Sequence, residues 1–236
     1  FSFLFTITNA FVLLYQIFYC EEISLLRADR RNKNLFGLFS FVIISSNGGL
    51  MKQMRIMFDM DDVLVSGGFL YLINSYLGTH YTESDFKTYY MQDVVPDKEA
   101  FFEYFLQHNL YDYATVTEGA TELLKELNEH HKVYIGTSYI IPEVVSKSGV
   151  LLDYKYQFLT RTFPFLDPNR FVFLGDKSVL QCDVKVDDKL SNLENADTKI
   201  LYTAYHNLDL ADSTIEEYGA VRANDMQEVK RLILKK

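Results

Sequence analysis

From Met54 onward, short apolar runs alternate with segments in which apolar residues return every three or four positions. RIMFDM, KVYIGT, FVFLG, DVKVDD and KILYTA are runs of strand length, rich in the β-branched and aromatic residues that suit a pleated surface. VTEGATELLKELNEHH places Ala120, Leu123, Leu124 and Leu127 on one helical face, with Thr117 as its expected N-cap. MQEVKRLILKK predicts a last amphipathic helix whose cations sit at its C-terminal end, where the helix dipole favours them. Alternation of this kind predicts an α/β fold, a Rossmann-like doubly wound parallel sheet with helices on both faces. Ligands of such sheets bind beyond the carboxyl ends of the strands.

The alternation lapses between Leu64 and Thr115. FLYLINSYLG, ESDFKTYYMQDV and KEAFFEYFLQHNL read as short aromatic-rich helices. The stretch far exceeds the roughly 15 residues at which structureless loops become uncommon. It predicts a small helical cap over about residues 66–114, inserted after the first strand.

Residues 1–50 follow neither pattern. The uncharged stretch FSFLFTITNAFVLLYQIFYC has the roughly 20 residues a membrane-spanning helix needs, but Thr6, Thr8, Asn9 and Gln16 interrupt it. Arg27, Arg30, Arg31 and Lys33 follow, a basic flank that would keep the downstream chain on the cytoplasmic side. LFGLFSFVIISS is too short to span. Residues 1–50 are therefore read as an apolar extension, either a membrane anchor or sequence upstream of the true start. On the second reading the functional chain begins at Met51 or Met54, and the glycine-rich codons of Asn47-Gly48-Gly49 belong to a ribosome-binding sequence. The expected catalytic domain is 51–236, and the extension is expected to contribute nothing to catalysis.

Bulk properties narrow the function. With 236 residues and a formal net charge of −9, the chain has no global basic footprint for nucleic acid. A phosphate-bearing ligand would need a local set of cations. Two cysteines, Cys20 and Cys182, form neither a disulfide framework nor a metal-ligand spacing, so a cytoplasmic location is expected.

Four elements with chemistry come in order: Asp59-Met60-Asp61 after the first strand, Thr137-Ser138 after the second, Lys177 after FLGD, and Asp187-Asp188 after DVKV. Phosphoryl transfer to water needs an in-line nucleophile, neutralised phosphate oxygens and a proton for the leaving oxygen. A carboxylate can be that nucleophile, through an aspartyl-phosphate. Carboxylates from two strand ends suit Mg²⁺, a hard ion that prefers oxygen. A hydroxyl and a lysine complete the set.

These residues resemble the four motifs of the haloacid dehalogenase superfamily: RIMFDMDDVLV the first, YIGTS the second, the lysine of FLGDKSVL the third and DVKVDDKLSNLEN the fourth. The resemblance covers about residues 54–206 and is nearest to the 5′(3′)-deoxyribonucleotidases, or cytosolic type C 5′-nucleotidases. DMDDVL running into GGFL, Thr-Ser at the second motif and DKSVL before DVKVDD and LYTAYHN carry that nearness. The resemblance implies Asp59 as nucleophile and Asp61 as general acid, later the base for water. It implies phosphate contacts from Thr137, Ser138 and Lys177. Mg²⁺ would take Asp59, the Asp61 carbonyl and a carboxylate of the Asp187-Asp188 pair, Asp188 before Asp187. A nucleoside monophosphate is the implied substrate. Two departures stand out: Asp62 occupies a place where glycine is common, and no aromatic stands at Ser66-Gly67 to pack on a base, a part that Phe69 or a cap aromatic would have to take.

Other readings attach to the same residues. Val63 and Leu64 fall where an EF-hand needs a ligand and a turn glycine. A phospho-acceptor signalling domain has its acids in the reverse order and lacks a second acid two residues after the acceptor; Asp61 favours turnover. Of Asp187 and Asp188, one can serve only as the cap of the next helix. His130 and His131 are expected as favourable cations at a helix end, and His206 as either a loop residue or a neighbour of the site. Tyr89, Tyr90, Phe101, Phe102 and Phe105 are expected in the cap core rather than against a base. Gly67-Gly68 lacks the frame of a phosphate cradle.

Overall fold

A computed structural model describes residues 42–44 and 50–234 of the chain. The expectations for residues 1–41, anchor or upstream sequence, and for Asn47-Gly48-Gly49 lie outside the described residues. Among the described residues, no helix is long and apolar enough to cross a membrane.

Six parallel strands form the central sheet: β1 (Arg55–Phe58), β2 (Lys132–Thr137), β3 (Phe171–Phe173), β4 (Cys182–Asp187), β5 (Ala196–Tyr202) and β6 (Ala220–Ala223). Their order is β6-β5-β4-β1-β2-β3, the Rossmann-like arrangement expected. The chain winds outward from β1 through β2 to β3, then returns to β4 on the other side. The reversal falls between β1 and β4, where a crevice opens beyond the strand ends. Ile56 pairs with Val133 on one side and Val184 on the other. Ile56, Met57 and Phe58 are all buried, as in a central strand covered on both faces.

Helices α1 (Gly68–Leu77), α2 (Lys98–Leu106), α3 (Ala120–His130), α4 (Gly149–Thr162), α5 (Asp212–Glu217) and α6 (Met226–Leu234) complete the fold. In α3, Ala120, Leu123, Leu124 and Leu127 are buried, as their spacing predicts. Thr117 is not its cap. The helix begins at Ala120 behind Gly119, whose φ of 78° is left-handed. Thr117 instead donates its hydroxyl to the Val63 carbonyl at 2.8 Å, tying the helix entrance to the turn after β1. The expected cation at the helix end fits exposed His130 only. His131 is buried, its Nδ1 accepts the Met54 N–H at 3.3 Å, and burial, then His130, push its pKa below the ordinary value.

The inserted segment is entered and left through a two-strand antiparallel ribbon, Val65–Ser66 with Thr115–Val116. Within it lie α1 and α2, as their sequences predict. ESDFKTYYMQDV is not a helix but two isolated 3₁₀ turns, Glu83–Asp85 and Met91–Val94. Its buried residues Phe86 and Met91 are five apart, which would put them on different sides of a helix. The Asp85 carboxylate also accepts the Thr82 N–H at 2.7 Å, closing the first turn on itself. Leu72, Ile73, Phe101, Phe102 and Phe105 join the strand residues in one apolar cluster, so the insertion packs on the sheet's own core. Helix α4, helix α5 and strand β6 lie outside the elements predicted from the sequence.

Candidate active site

The turn after β1 is built by alternation. Asp59 N donates to the Val186 carbonyl at 2.9 Å, extending the pairing with β4 one residue past the strand. Met60 then turns fully into the core, which sends the flanking Asp59 and Asp61 to the opposite side, toward the crevice. The Met60 carbonyl accepts from Leu64 and Val65, and Asp62 adopts a left-handed φ of 59° to close the turn. Glycine is the easiest residue in that conformation, and Asp is among the few others that tolerate it.

Asp59 is buried, and its Oδ1 accepts the Met60 N–H at 2.6 Å. Lys177 Nζ lies 2.8 Å from Asp59 Oδ1 and 2.6 Å from Asp187 Oδ2. Burial pushes the Asp59 carboxyl up to about 6 against the opposing pull of Lys177. Asp187 is likewise raised to about 6, by burial first and with Lys177 opposing. Burial alone would lower Lys177, but the two carboxylates outweigh it and hold the ammonium above its ordinary value. Lys185, fully buried on β4, donates to the carbonyls of Lys177 at 2.7 Å, Glu194 at 2.6 Å and Asn192 at 3.3 Å. It fastens the Lys177 loop to the loop that comes after β4.

The two adjacent aspartates divide their work. Asp187 Oδ1 accepts from Lys189 N at 3.0 Å and Asn192 Nδ2 at 2.9 Å, while its Oδ2 faces Lys177. Asp188 contacts His206 Nε2 through Oδ2 at 2.6 Å. Thus Asp187 holds the next turn, and His206 is a neighbour of the site. Oxygens of Asp59, Asp187 and Asp188 lie within 4.8 Å of one another, as do ligand atoms of Asp62, Asp188 and His206.

Asp61 is held by two residues that sequence reasoning missed. Lys155 Nζ, on α4, donates to Asp61 Oδ2 and to Thr137 Oγ1, the latter at 2.6 Å. The Tyr111 hydroxyl donates to Asp61 Oδ1 at 2.8 Å. Lys155 is almost wholly buried and shares its helix face with Phe158 and Leu159. That i, i+3, i+4 spacing is the signal that would have found it: a lysine where an apolar residue belongs. Thr137 is buried at the end of β2, and Ser138 beside it is half-buried.

These side chains open into one cavity of about 380 Å³, lined by Asp59, Asp61, Thr137, Ser138, Lys177 and Asp188 at its floor. Phe69, Tyr89, Tyr90, Phe102 and Phe105 form part of its wall. The expected cap-core aromatics therefore divide. Phe101, Phe102 and Phe105 are buried, whereas Tyr89 and Tyr90 are exposed at the cavity. Lys189 Nζ sits 3.0 Å above the Tyr89 ring centre, a cation–π contact.

Residues 52–236 match the model of the family described as 5′ nucleotidase, deoxy (pyrimidine), cytosolic type C protein. A Staphylococcus epidermidis protein named as a candidate 5′(3′)-deoxyribonucleotidase is 30% identical over 185 residues, covering 76% of this chain and 96% of that one. The Bacillus subtilis protein named 5′(3′)-deoxyribonucleotidase is 27% identical over 187 residues, covering 78% of this chain and all of the relative. Among solved structures, one described as a predicted phosphatase from Clostridium acetobutylicum superposes with a TM-score of 0.51 at 16% identity. It covers 78% of this chain and 99% of that one, a likeness of fold.

Proposed function

The chain belongs to the 5′ nucleotidase, deoxy (pyrimidine), cytosolic type C family, a family of haloacid dehalogenase-type phosphomonoester hydrolases, and on that premise we propose that it releases phosphate from nucleoside monophosphates, deoxyribonucleotides first, through an aspartyl-phosphate on Asp59. The observation that carries the reading is the convergence of Asp59, Asp61, Thr137, Lys177 and Asp188 on one cavity floor. A cytoplasmic site of action belongs to the same reading, supported by the description of the matching family as cytosolic.

The residues fit a divalent cation, read as Mg²⁺. Three carboxylates offer oxygens within 4.8 Å of one another, the hard donors Mg²⁺ prefers. Asp187 spends both oxygens on Lys177, Lys189 N and Asn192, so Asp59 and Asp188 are the side chains that would hold the ion, with the Asp61 carbonyl. When bound, it supplies the positive charge that lets an anionic nucleophile meet an anionic phosphate.

The chain's own groups then act in two steps. Lys177, beside Asp59, and Thr137, with Ser138 next to it, receive the phosphate oxygens. Asp59 attacks phosphorus, the bond to the ester oxygen breaks, and that oxygen takes the proton of the Asp61 carboxyl, leaving as the nucleoside hydroxyl. In the second step the Asp61 carboxylate takes a proton from water as the water oxygen attacks phosphorus. The Asp59–phosphorus bond breaks, and inorganic phosphate leaves. Asp61 thus supports turnover rather than a lasting phospho-acceptor. A phosphatase screen with Mg²⁺ over nucleotides, sugar phosphates and small phosphorylated metabolites tests the assignment. Nucleoside monophosphates should lead. Sugar phosphates cleaved far faster than any nucleotide would overturn the substrate class.

A further inference from the structure

We propose that Tyr111 is a positioning residue for the acid–base step, its phenol holding the Asp61 carboxyl in one orientation at the cavity. The proposal rests on the reading of Asp61 as the general acid. The hydroxyl donates to Asp61 Oδ1 at 2.8 Å while Lys155 Nζ donates to Oδ2, so each oxygen of the carboxyl is held by its own donor. Held between these two donors, the carboxyl keeps Oδ2 on the side of Lys155 and, through it, Thr137 Oγ1, where the phosphate is to be received. Without the phenol, the Asp61 side chain, 41% exposed, is held by Lys155 alone and can turn about its Cβ–Cγ bond.

The turn that carries the phenol is held from three directions. Asn109 Oδ1 caps the single turn Leu110–Asp112 by accepting the Tyr111 N–H at 3.1 Å. The Tyr111 ring lies 5.1 Å from that of Phe158, one turn of α4 beyond Lys155, so both partners of Asp61 are referenced to one helix. On the other side α1 closes tightly: a Cβ on Gly68 would stand 2.3 Å from the Leu110 carbonyl oxygen, so the glycine lets the helix press directly on the turn. The residue thus belongs to the inserted segment yet acts on a carboxyl at the sheet.

The step it serves is protonation of the leaving oxygen, so leaving-group chemistry is the readout. A nucleoside alkoxide needs the proton; 4-nitrophenolate is stable enough to leave without it. Tyr111→Phe keeps the ring on Phe158 and removes only the hydroxyl. With Mg²⁺ present, kcat/KM should fall about 10- to 100-fold on a deoxynucleoside monophosphate, a part of the 10²–10⁴ that general acid catalysis supplies. On 4-nitrophenyl phosphate it should change less than about threefold. kcat/KM covers events up to transfer onto Asp59, so hydrolysis of the phospho-enzyme does not enter. Asp61→Asn in parallel should show the same selective loss, larger. Equal losses on both substrates by Tyr111→Phe, or none, overturn the role of the phenol while Asp61→Asn still discriminates. If Asp61→Asn does not discriminate, the general-acid reading itself fails. A thermal melt of Tyr111→Phe unchanged to within a few degrees separates positioning from loss of fold.

Discussion

Asp59→Asn should abolish turnover and at the same time stabilise the metal-free protein. The amide keeps the volume of the carboxyl and can still accept the Met60 N–H through Oδ1, but it cannot attack phosphorus. The stability gain comes from the raised pKa. A carboxyl of ordinary value 3.8 held at about 6 costs the fold about 3 kcal/mol once ionised, at about 1.4 kcal/mol per tenfold. Because the folded value is raised, the group favours the fold only when protonated, and that contribution is lost as pH rises from 3.8 through about 6. The gain from the amide is smaller than the whole cost, since Lys177 gives up one of its two carboxylate partners. About 1–2 kcal/mol is expected at pH 7.5, or roughly 2–8 °C in Tm for a domain of this size. Urea and thermal unfolding in chelator measure it, and the difference between variant and wild type should shrink as pH is lowered toward 4. Phosphate release should fall by at least about 10³-fold, as when a nucleophile is removed. A variant less stable than wild type in chelator, or a difference that holds at low pH, would refute the reasoning.

Buried cations and bases set two further outcomes. Lys155→Met should lower kcat/KM about 100-fold by releasing Asp61 and Thr137 together. It should cost only about 1–2 kcal/mol in urea unfolding, below the 3–5 of a fully buried pair, because Asp61 is 41% exposed to water; undiminished activity would remove Lys155 from the site. His131 has a folded pKa below its ordinary 6.5, so the unfolded chain takes up a proton first and stability falls as pH drops below 6.5 toward the folded value. His131→Asn, which keeps an acceptor for Met54 N–H, should flatten that fall in a series of melts from pH 7.5 to 5, and an unchanged slope would contradict it.

The residues legible in the sequence were those that a strand end delivers directly. Asp59, Asp61, Thr137, Lys177 and the Asp187-Asp188 pair come after apolar runs, and a parallel sheet brings such ends to one edge whatever the intervening chain does. Lys155 and Tyr111 could not be placed this way. They meet Asp61 across 94 and 50 positions, through packing of α4 and of the insertion rather than through strand register. Residues 83–94 misled for a related reason: the aromatic content suggested a helix, but Thr82 and Asp85 compete for the backbone and the buried positions do not share a face. Of Asp187 and Asp188, the sequence allowed that one serves only as a cap; only the bonds of Lys189 N and Asn192 to Asp187 say which one holds the turn.

The ribbon that joins Val65–Ser66 to Thr115–Val116 has a bearing on how such a protein can change. Ser66 stands opposite Thr115, so everything between them leaves the sheet and returns at one point. Closing a longer or shorter excursion from that point costs little, about 0.6 kcal/mol for each doubling of length. Insertions and deletions can therefore accumulate there without moving the aspartates at the strand ends. The wall of the cavity can be rewritten with two tethers: any replacement must still cover the sheet's core as Leu72, Phe101 and Phe105 do, and bring a hydroxyl to where Tyr111 meets Asp61.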